Sequence, residues 1–220
     1  MKYFAVLFFA LFALKAEGQS HLIGLRSGLN WAKITNEIVL NDHIKGFSGG
    51  ITYEYLMPNN FSLGAELAYL RRGFSDKIIL TDFSNKITYE YLPIHLYDFI
   101  TLPLKTGFNT GGRVYGFANI GIVPSILLNT QFKMIGYSPY HTDFDAMSKE
   151  IFRNTPKFDL AGLAEIGGGY KLQGNFQLFA SFTYQHSFRL QPKDRSFSFY
   201  RYLRYTGKIA SVGIKYNLNK

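Results

Sequence analysis

Apolar positions alternate with small or polar positions along most of the chain. On the segment Ser20–Trp31, for example, Ile23 and Leu25 fall on one face. Arg26 and Asn30 fall on the other face. A period of two is that of a β-strand with one apolar side. Eight such segments follow one another, which predicts an all-β, eight-stranded antiparallel up-and-down barrel.

The connections between the predicted strands alternate in length. Short connections rich in turn residues follow the second, fourth and sixth strands, at Pro58–Asn60, Asn109–Gly112 and Gln173–Asn175. Longer connections follow the first, fifth and seventh strands, at roughly Ala32–Lys45, Asn129–Pro156 and Gln191–Leu203. Transmembrane barrels have short periplasmic turns and long external loops. The pattern therefore predicts a transmembrane barrel in the cell outer membrane with both termini in the periplasm.

The connection after the third predicted strand departs from this alternation. Lys77–Leu80 and Lys86–Leu92 have strand character around a turn at Asp82–Asn85. About ten residues suffice to cross a membrane as a strand. Strands three and four are therefore expected to continue past the membrane as a projecting hairpin, with a bend in the fourth strand at Pro93.

Residues 1–18 are predicted to be a signal peptide and residues 19–220 a single barrel domain. The apolar run Tyr3–Leu14 has the length of a signal-peptide core, and small residues follow it at Ala16 and Gly18. The run is too short to cross a bilayer as a helix. We therefore expect cleavage directly after Gly18.

The composition adds an expectation about partners. The chain has 21 Phe, 16 Tyr, 21 Gly, no cysteine and a net charge of +9. An exported protein does not meet nucleic acid, so the phosphates of outer-membrane lipid and lipopolysaccharide are the expected counter-charge. Other envelope proteins are further candidate partners, and the barrel is expected to be a monomer. Basic residues assigned to the outer loops for this contact are Arg71, Arg72, Lys77, Lys133, Arg195, Arg201 and Arg204.

The polar face of the predicted strands separates two kinds of barrel. In a soluble carrier of the lipocalin kind, the apolar face points inward and the other face is charged toward water. Here the second face holds mainly Gly, Ser, Thr, Ala and Asn, which suits a narrow interior filled by side chains. An arginine facing lipid at mid-membrane costs roughly 2–4 kcal/mol, so Arg26 is placed inside. The predicted interior charge network is Arg26, Glu54, Glu66, Asp159, Glu165 and Lys215.

Aromatic residues on the apolar face lie near the predicted strand ends. Outer-membrane barrels carry aromatic girdles at both membrane interfaces. The expected girdle residues are Trp31, Tyr53, Tyr55, Tyr69, Tyr184 and Tyr216.

Several segments, taken in order, resemble the PorT-like family of outer-membrane β-barrel proteins common in Bacteroidetes. The resembling segments are Gly24–Asn30, Gly46–Ile51, Glu66–Gly73, Thr101–Lys105, Gly162–Tyr170 and Ser211–Leu218. The resemblance implies an outer-membrane barrel. It also implies, as one alternative, an accessory part in a system that secretes proteins across the outer membrane. A shared fold does not transfer an activity.

No arrangement of residues predicts an enzyme or a bound cofactor. His186 and Ser187, with Glu150 or Asp194 as the acid, come nearest to a catalytic set. Neighbours on a strand point to opposite faces, so this histidine and serine are not expected to act together. Three loop residues, His141, Asp143 and Asp145, are too few ligands for a good cation site.

The predicted function is that of an integral barrel with a filled lumen and a structural or surface-binding role through its outer loops. Two alternatives remain beside the secretion role: a narrow channel, and a barrel enzyme that modifies lipid.

Overall fold

The computed structural model describes residues 19–35, 42–75, 78–81, 87–135, 144–188 and 204–219. Three predicted features lie outside the described residues: the signal peptide at 1–18, the hairpin turn Asp82–Asn85 and the connection Gln191–Leu203.

The described chain forms ten strands and one helix. The first five strands are β1 (Ser20–Thr35), β2 (Asp42–Leu56), β3 (Phe61–Ser75), β4 (Ile78–Thr81) and β5 (Ile87–Thr101). They are followed by β6 (Leu104–Asn109), β7 (Val114–Ile135), α1 (Phe144–Asn154), β8 (Phe158–Lys171), β9 (Phe176–Ser187) and β10 (Arg204–Asn217). Within the described part of the chain, no helix is long and apolar enough to span a membrane.

The strands close into an eight-stranded ring, as predicted, if β5 and β6 are counted as one interrupted strand. β1 pairs with β2 and β10, β2 pairs with β3, and β7 to β10 follow one another, all antiparallel. β5 and β6 are two segments of the same ring strand, because both pair with β3 on one side and with β7 on the other. β4 lies outside the ring and pairs with the start of β5, which confirms the predicted hairpin extension.

The short connections form tight turns at the end of the ring that carries the termini. Asn60 has a φ of 66°, and Gly111, Gly112 and Gly174 have φ values of 72°, 85° and 83°. Glycine and asparagine tolerate this left-handed conformation best. The predicted turn chemistry is therefore confirmed at all three connections.

The fourth ring strand breaks at a different proline from the one expected. β5 continues through Pro93, which pairs with Met134, so the predicted bend there is wrong. The interruption lies at Leu102 and Pro103, between β5 and β6. Proline has no N–H to give to the ladder. Backbone hydrogen bonds to the neighbouring strands nevertheless continue at this point. The Pro103 carbonyl accepts from the Glu66 amide at 3.0 Å, and the Leu102 amide donates to the Pro124 carbonyl at 2.8 Å.

Two of the predicted long connections are shorter than expected, because the strands continue past the apolar segments. β1 extends to Thr35 and β2 begins at Asp42. β7 extends to Ile135. Backbone pairing continues there although the side chains no longer alternate between apolar and polar, and this alternation was the signal used to place the strand ends.

The helix α1 occupies part of a segment predicted to be loop. Asp145 lies in its first turn and Arg153 in its last, which suits the helix dipole. Ile151 and Phe152 pack against an aromatic cluster at the end of the ring opposite the termini. These two side chains are partly buried, and their packing holds the helix against that cluster.

The two faces of the ring differ as predicted. Along β9, outward residues are exposed and inward residues are buried almost without exception. The outward set is apolar: Phe176, Leu178, Phe182 and Tyr184 are each between 42% and 46% exposed. Inward residues are mainly polar, so the apolar face is the outside of the ring.

The predicted girdle aromatics lie on this outer face in two bands. Near the termini, the rings of Tyr53 and Tyr55 lie 6.1 and 5.1 Å from the ring of His21. Tyr216 contacts Phe176 edge-on at 5.0 Å in the same band. The other three, Trp31, Tyr69 and Tyr184, lie toward the opposite end.

Glycines on the inner face make room for inward-pointing rings near the termini. A Cβ on Gly167 would lie 2.3 Å from Cζ of Phe117 and 2.5 Å from the Ala180 carbonyl oxygen. A Cβ on Gly169 would likewise lie 2.4 Å from Cζ of Tyr115. These inner-face glycines therefore serve close packing across the ring.

Gly167→Val is expected to lower the free energy of unfolding by about 1–3 kcal/mol, because the new side chain overpacks the ring against Phe117. Urea unfolding in lipid vesicles, followed by Trp31 fluorescence, measures the change. The control is Gly168→Val, which points outward and whose Cβ would lie 3.2 Å from its nearest neighbour. Equal losses in the two variants would contradict the assigned faces.

Candidate functional site

The interior of the ring is lined mainly by polar and charged side chains. Of the six charged residues predicted to lie there, Arg26, Glu66, Asp159, Glu165 and Lys215 are buried. The side chain of Glu54 is 12% exposed and pairs with Lys215. The structure therefore places all six on the inner face, in three layers along the axis of the ring.

Arg26 is the centre of the middle layer. Its Nη1 atom donates to Glu165 at 2.7 Å and to Glu66 at 3.1 Å. Its Nε and Nη2 atoms donate to Ser211 at 2.9 Å and Thr183 at 2.8 Å. The guanidinium thus binds groups from four other ring strands, which ties β1 to the far side of the ring.

Lys105 completes the middle layer, although the predicted network omitted it. Its ammonium group lies 3.2 Å from Glu66 and 3.1 Å from Glu165. Arg26, Glu66, Lys105 and Glu165 together form the middle charge cluster, which has two positive and two negative groups. The alternation along the strand could have predicted this position, because Leu104 points outward and the next residue, Lys105, must then point inward.

The layer nearest the termini joins Lys215 to Glu54. The ammonium group of Lys215 lies over the rings of Phe179 and Phe117, at 4.6 and 5.3 Å from their centroids. Ring faces attract cations. This layer therefore fills the lower interior with two rings and one ion pair.

The layer farthest from the termini joins Arg72 to Asp159 at 2.6 Å. Ser187 donates to the same carboxylate at 2.8 Å, and Arg72 also donates to Gln185 at 3.3 Å. This corrects the expectation that Arg72 faces outward for lipid contact, because its side chain is 3% exposed. Arg72 lies on the inner face of β3 together with Glu66, Ala68 and Leu70. The alternation of inward and outward positions along this strand could therefore have predicted that Arg72 points inward.

The three layers balance one another in charge. They contain four cations and four anions, all paired. The cavities on either side of the middle charge cluster have volumes of about 20 and 10 Å³. A space of this size holds about one water molecule. Within the described residues, the charges of the interior are therefore balanced.

An aromatic layer lies above the Arg72–Asp159 pair. Arg72 lies under the rings of Phe99 and Tyr205, at 5.1 and 5.7 Å from their centroids. These rings form one buried cluster with Phe74, Tyr97 and Leu127, and α1 packs on that cluster. Ser148 of α1 holds the helix to β7 by accepting from the Phe132 amide at 2.9 Å. The helix therefore lies against β7 and the aromatic cluster at this end of the ring.

An ion pair lies on the outer face at the same end. Arg71 binds Asp98 in a bidentate pair at 2.6 and 3.0 Å, and Tyr69 donates to Asp98 at 2.5 Å. Arg71 was expected to contact lipid phosphate; its charge is paired with Asp98, its side chain is 33% exposed, and the lipid contact stays a prediction. Of the other basic residues in that group, Lys133 is exposed on β7. Lys77, Arg195, Arg201 and the side chain of Arg204 lie outside the described residues.

The residues nearest to a catalytic set do not come together. Ser187 points inward and donates to Asp159, while His186 points outward and lies 3.2 Å from Thr206. Glu150 is exposed on α1, and Asp194 lies outside the described residues.

The proposed cation ligands give a similar result. Asp145 lies on α1, while His141 and Asp143 lie outside the described residues. Among the residues that the structure describes, no group of His, Cys, Asp and Glu is arranged to hold a metal ion.

Comparison with known proteins places the chain among membrane barrels. A family model described as "Outer membrane protein beta-barrel domain" matches residues 4–219. The structure is similar to Neisserial surface protein A, with 12% identity, coverage of 91% of this chain and 99% of that chain, and a TM-score of 0.49. It is also similar to Ail of Yersinia pestis, with 14% identity, coverage of 91% of this chain and 100% of that chain, and a TM-score of 0.45. A third similar structure is OprG of Pseudomonas aeruginosa, with 10% identity, coverage of 92% of this chain and 97% of that chain, and a TM-score of 0.45. No curated protein matches the chain.

Arg26→Met is expected to lower the free energy of unfolding by about 3–5 kcal/mol, because it leaves two buried carboxylates with Lys105 alone. Urea unfolding of the refolded protein measures the loss. The double variant Arg26→Met/Glu165→Gln restores charge balance and should recover part of it. Leu25→Met, on the outer face, is the control and should change little. A double variant no more stable than Arg26→Met would contradict the charge-balance account.

Proposed function

The chain belongs to the family of outer membrane protein beta-barrel domains, and from this premise we propose that it is a sealed barrel with a structural or surface-binding role. The protein lies in the outer membrane, and its apolar outer face meets lipid there. The proposal is that the lumen carries no flux and that the working surface is the end away from the termini.

The observation that carries this proposal is the balanced interior. Each of the four lumen cations lies within ion-pair distance of a lumen carboxylate. Removing one partner of such a pair leaves a buried charge that costs several kcal/mol. A permeating ion would have to displace these contacts, and a buried aromatic cluster lies beyond them at the end of the ring opposite the termini. A sealed wall is the simplest role for such an interior.

The proposed orientation has both termini and the three tight turns in the periplasm. Support comes from the general pattern of outer-membrane barrels, which have short turns on that side. The end with α1 and the β4–β5 hairpin then faces the exterior, where it can contact a surface partner. Outer-membrane lipid and lipopolysaccharide are the proposed partners, and the closed ring suits a monomer because it has no free strand edge.

An enzymatic role has no support in the described residues, since His186 and Ser187 lie on opposite faces of β9. We therefore propose a barrel without catalytic activity. The similarity to the PorT-like family of Bacteroidetes, and with it an accessory role in secretion, stays a prediction from the sequence.

The wild-type protein is expected to give no stable current in planar lipid bilayers, because the middle charge cluster fills its cross-section. The variant Arg26→Ala/Glu66→Ala/Lys105→Ala/Glu165→Ala removes the cluster without changing its net charge. It should conduct if it retains heat-modifiable migration, the sign of a folded barrel. A matched preparation from cells without the gene controls for contaminating porins. A steady wild-type current would overturn the sealed-lumen proposal.

An epitope tag inserted between Ser138 and Pro139 is expected to bind antibody on intact cells, because it lies in the connection before α1. The same tag between Gly111 and Gly112, in a tight turn at the terminal end, is the matched control. It should bind antibody only after the outer membrane is permeabilised. The reverse pattern would overturn the proposed orientation and leave the sealed lumen untouched.

A further inference from the structure

We propose that three lysines around Trp31 on the outer face bind the phosphate group of an anionic membrane lipid. Lys33, Lys45 and Lys208, named here the lysine collar, lie on the neighbouring strands β1, β2 and β10. The inference rests on the proposed orientation only for the leaflet that supplies the lipid, which is the leaflet at the end of the ring opposite the termini.

The ladder register brings the collar together. Trp31 pairs with Lys45 on one side and with Lys208 on the other. Neighbouring strands lie about 4.8 Å apart, so the backbones of these two lysines are separated by about 10 Å with the indole between them. Lys33 follows Trp31 by two positions and shares its face. Three flexible side chains can therefore reach one phosphate.

The collar lysines differ from the lumen cations in their surroundings. All three lysines are exposed, and within the described residues none has an acidic partner. The contrast with Arg71 is informative, because this outward cation at a similar height is paired with Asp98. The lumen cations are paired as well. Among the described residues at this end of the ring, three exposed lysines therefore lie together on β10, β1 and β2, while the exposed Lys133 of β7 lies apart from them.

A groove for a lipid chain lies directly below the collar. It is a shallow, open groove on the lipid-facing side with a volume of about 630 Å³. Small outward residues at Ser27, Ala180 and Ala210 form its floor, and Phe47 and Phe182 form part of its sides. Trp31 lies at the collar end of the groove. The lining is almost wholly apolar, so an acyl chain fits it better than a polar ligand does.

The two halves of the surface specify one occupant. The groove ends at Trp31, which lies between Lys45 and Lys208 in the ladder, so this surface matches a molecule with an acyl chain below and a phosphate above. Lysine binds phosphate as a point charge, and its methylene stem can lie along the apolar surface while the ammonium group stays in water. A free inorganic phosphate would use the collar and leave the groove unfilled. We therefore commit to the headgroup phosphate of a lipid.

Trp31 supplies the readout, because it is the only tryptophan in the chain. The folded full chain is reconstituted in phosphatidylcholine vesicles that contain increasing fractions of phosphatidylglycerol with brominated chains, which quench indole fluorescence. A parallel series uses brominated phosphatidylcholine. The wild type is expected to be quenched half-maximally at a lower fraction of the anionic lipid than of the neutral one.

Lys45→Gln/Lys208→Gln is expected to lose this preference, by about fivefold for each lysine removed. Lys149→Gln/Arg153→Gln is the matched control, since it removes two positive charges from the exposed side of α1. The control should keep the wild-type curve. Heat-modifiable migration verifies that each variant is folded.

Three outcomes would overturn the proposal. One is equal quenching of the wild type by the two lipids, and another is a preference that persists in the collar variant. The third is loss of the preference on adding inorganic phosphate at an ionic strength where chloride has no effect, which would assign the collar to free phosphate. None of these outcomes bears on conductance, so the collar and the sealed lumen fail or stand separately.

Discussion

Backbone hydrogen bonding in the ring is continuous from strand to strand, because β1 pairs with β10 and β2 pairs with β3. In lipid, no water is present to satisfy a free N–H or C=O group, so only a closed ladder or a helix is stable there. Closure gives every ring strand one face toward lipid and one toward the lumen. The side chains of the inner face must then fill a narrow space whose width the strand number determines.

The need to fill that space accounts for the polar interior. Charges placed inside cannot be hydrated freely, so each must find an opposite charge across the ring. Arg26 does this with Glu165 of β8, 139 positions away along the chain. Near the termini, glycines such as Gly167 and Gly169 leave room for Phe117 and Tyr115. Balanced ion pairs and packed rings are two ways to meet the same constraint.

Much of the fold could be predicted, because alternation and turn chemistry are local properties. The eight strands, the three tight turns and the inward position of Arg26 needed only neighbouring residues or a penalty for exposure to lipid. The break at Pro103 was misplaced to Pro93 because both prolines lie in strand-like sequence, and only the ladder distinguishes them. Helix α1 was missed because its position depends on the packing of Ile151 and Phe152 on rings from other strands.

By itself, the sequence determined which residues share a face, where the chain turns, and that the apolar face belongs outside. These follow from a period of two and from the cost of placing arginine in lipid. The tertiary structure alone decided which charges meet. In the structure, Arg72 pairs with Asp159, and Lys105 joins Arg26 at Glu165. From the sequence alone, Arg72 was predicted to lie on the surface. The physical reason is register: partners across a closed ring are set by the stagger of all the strands between them, and no single segment encodes that stagger.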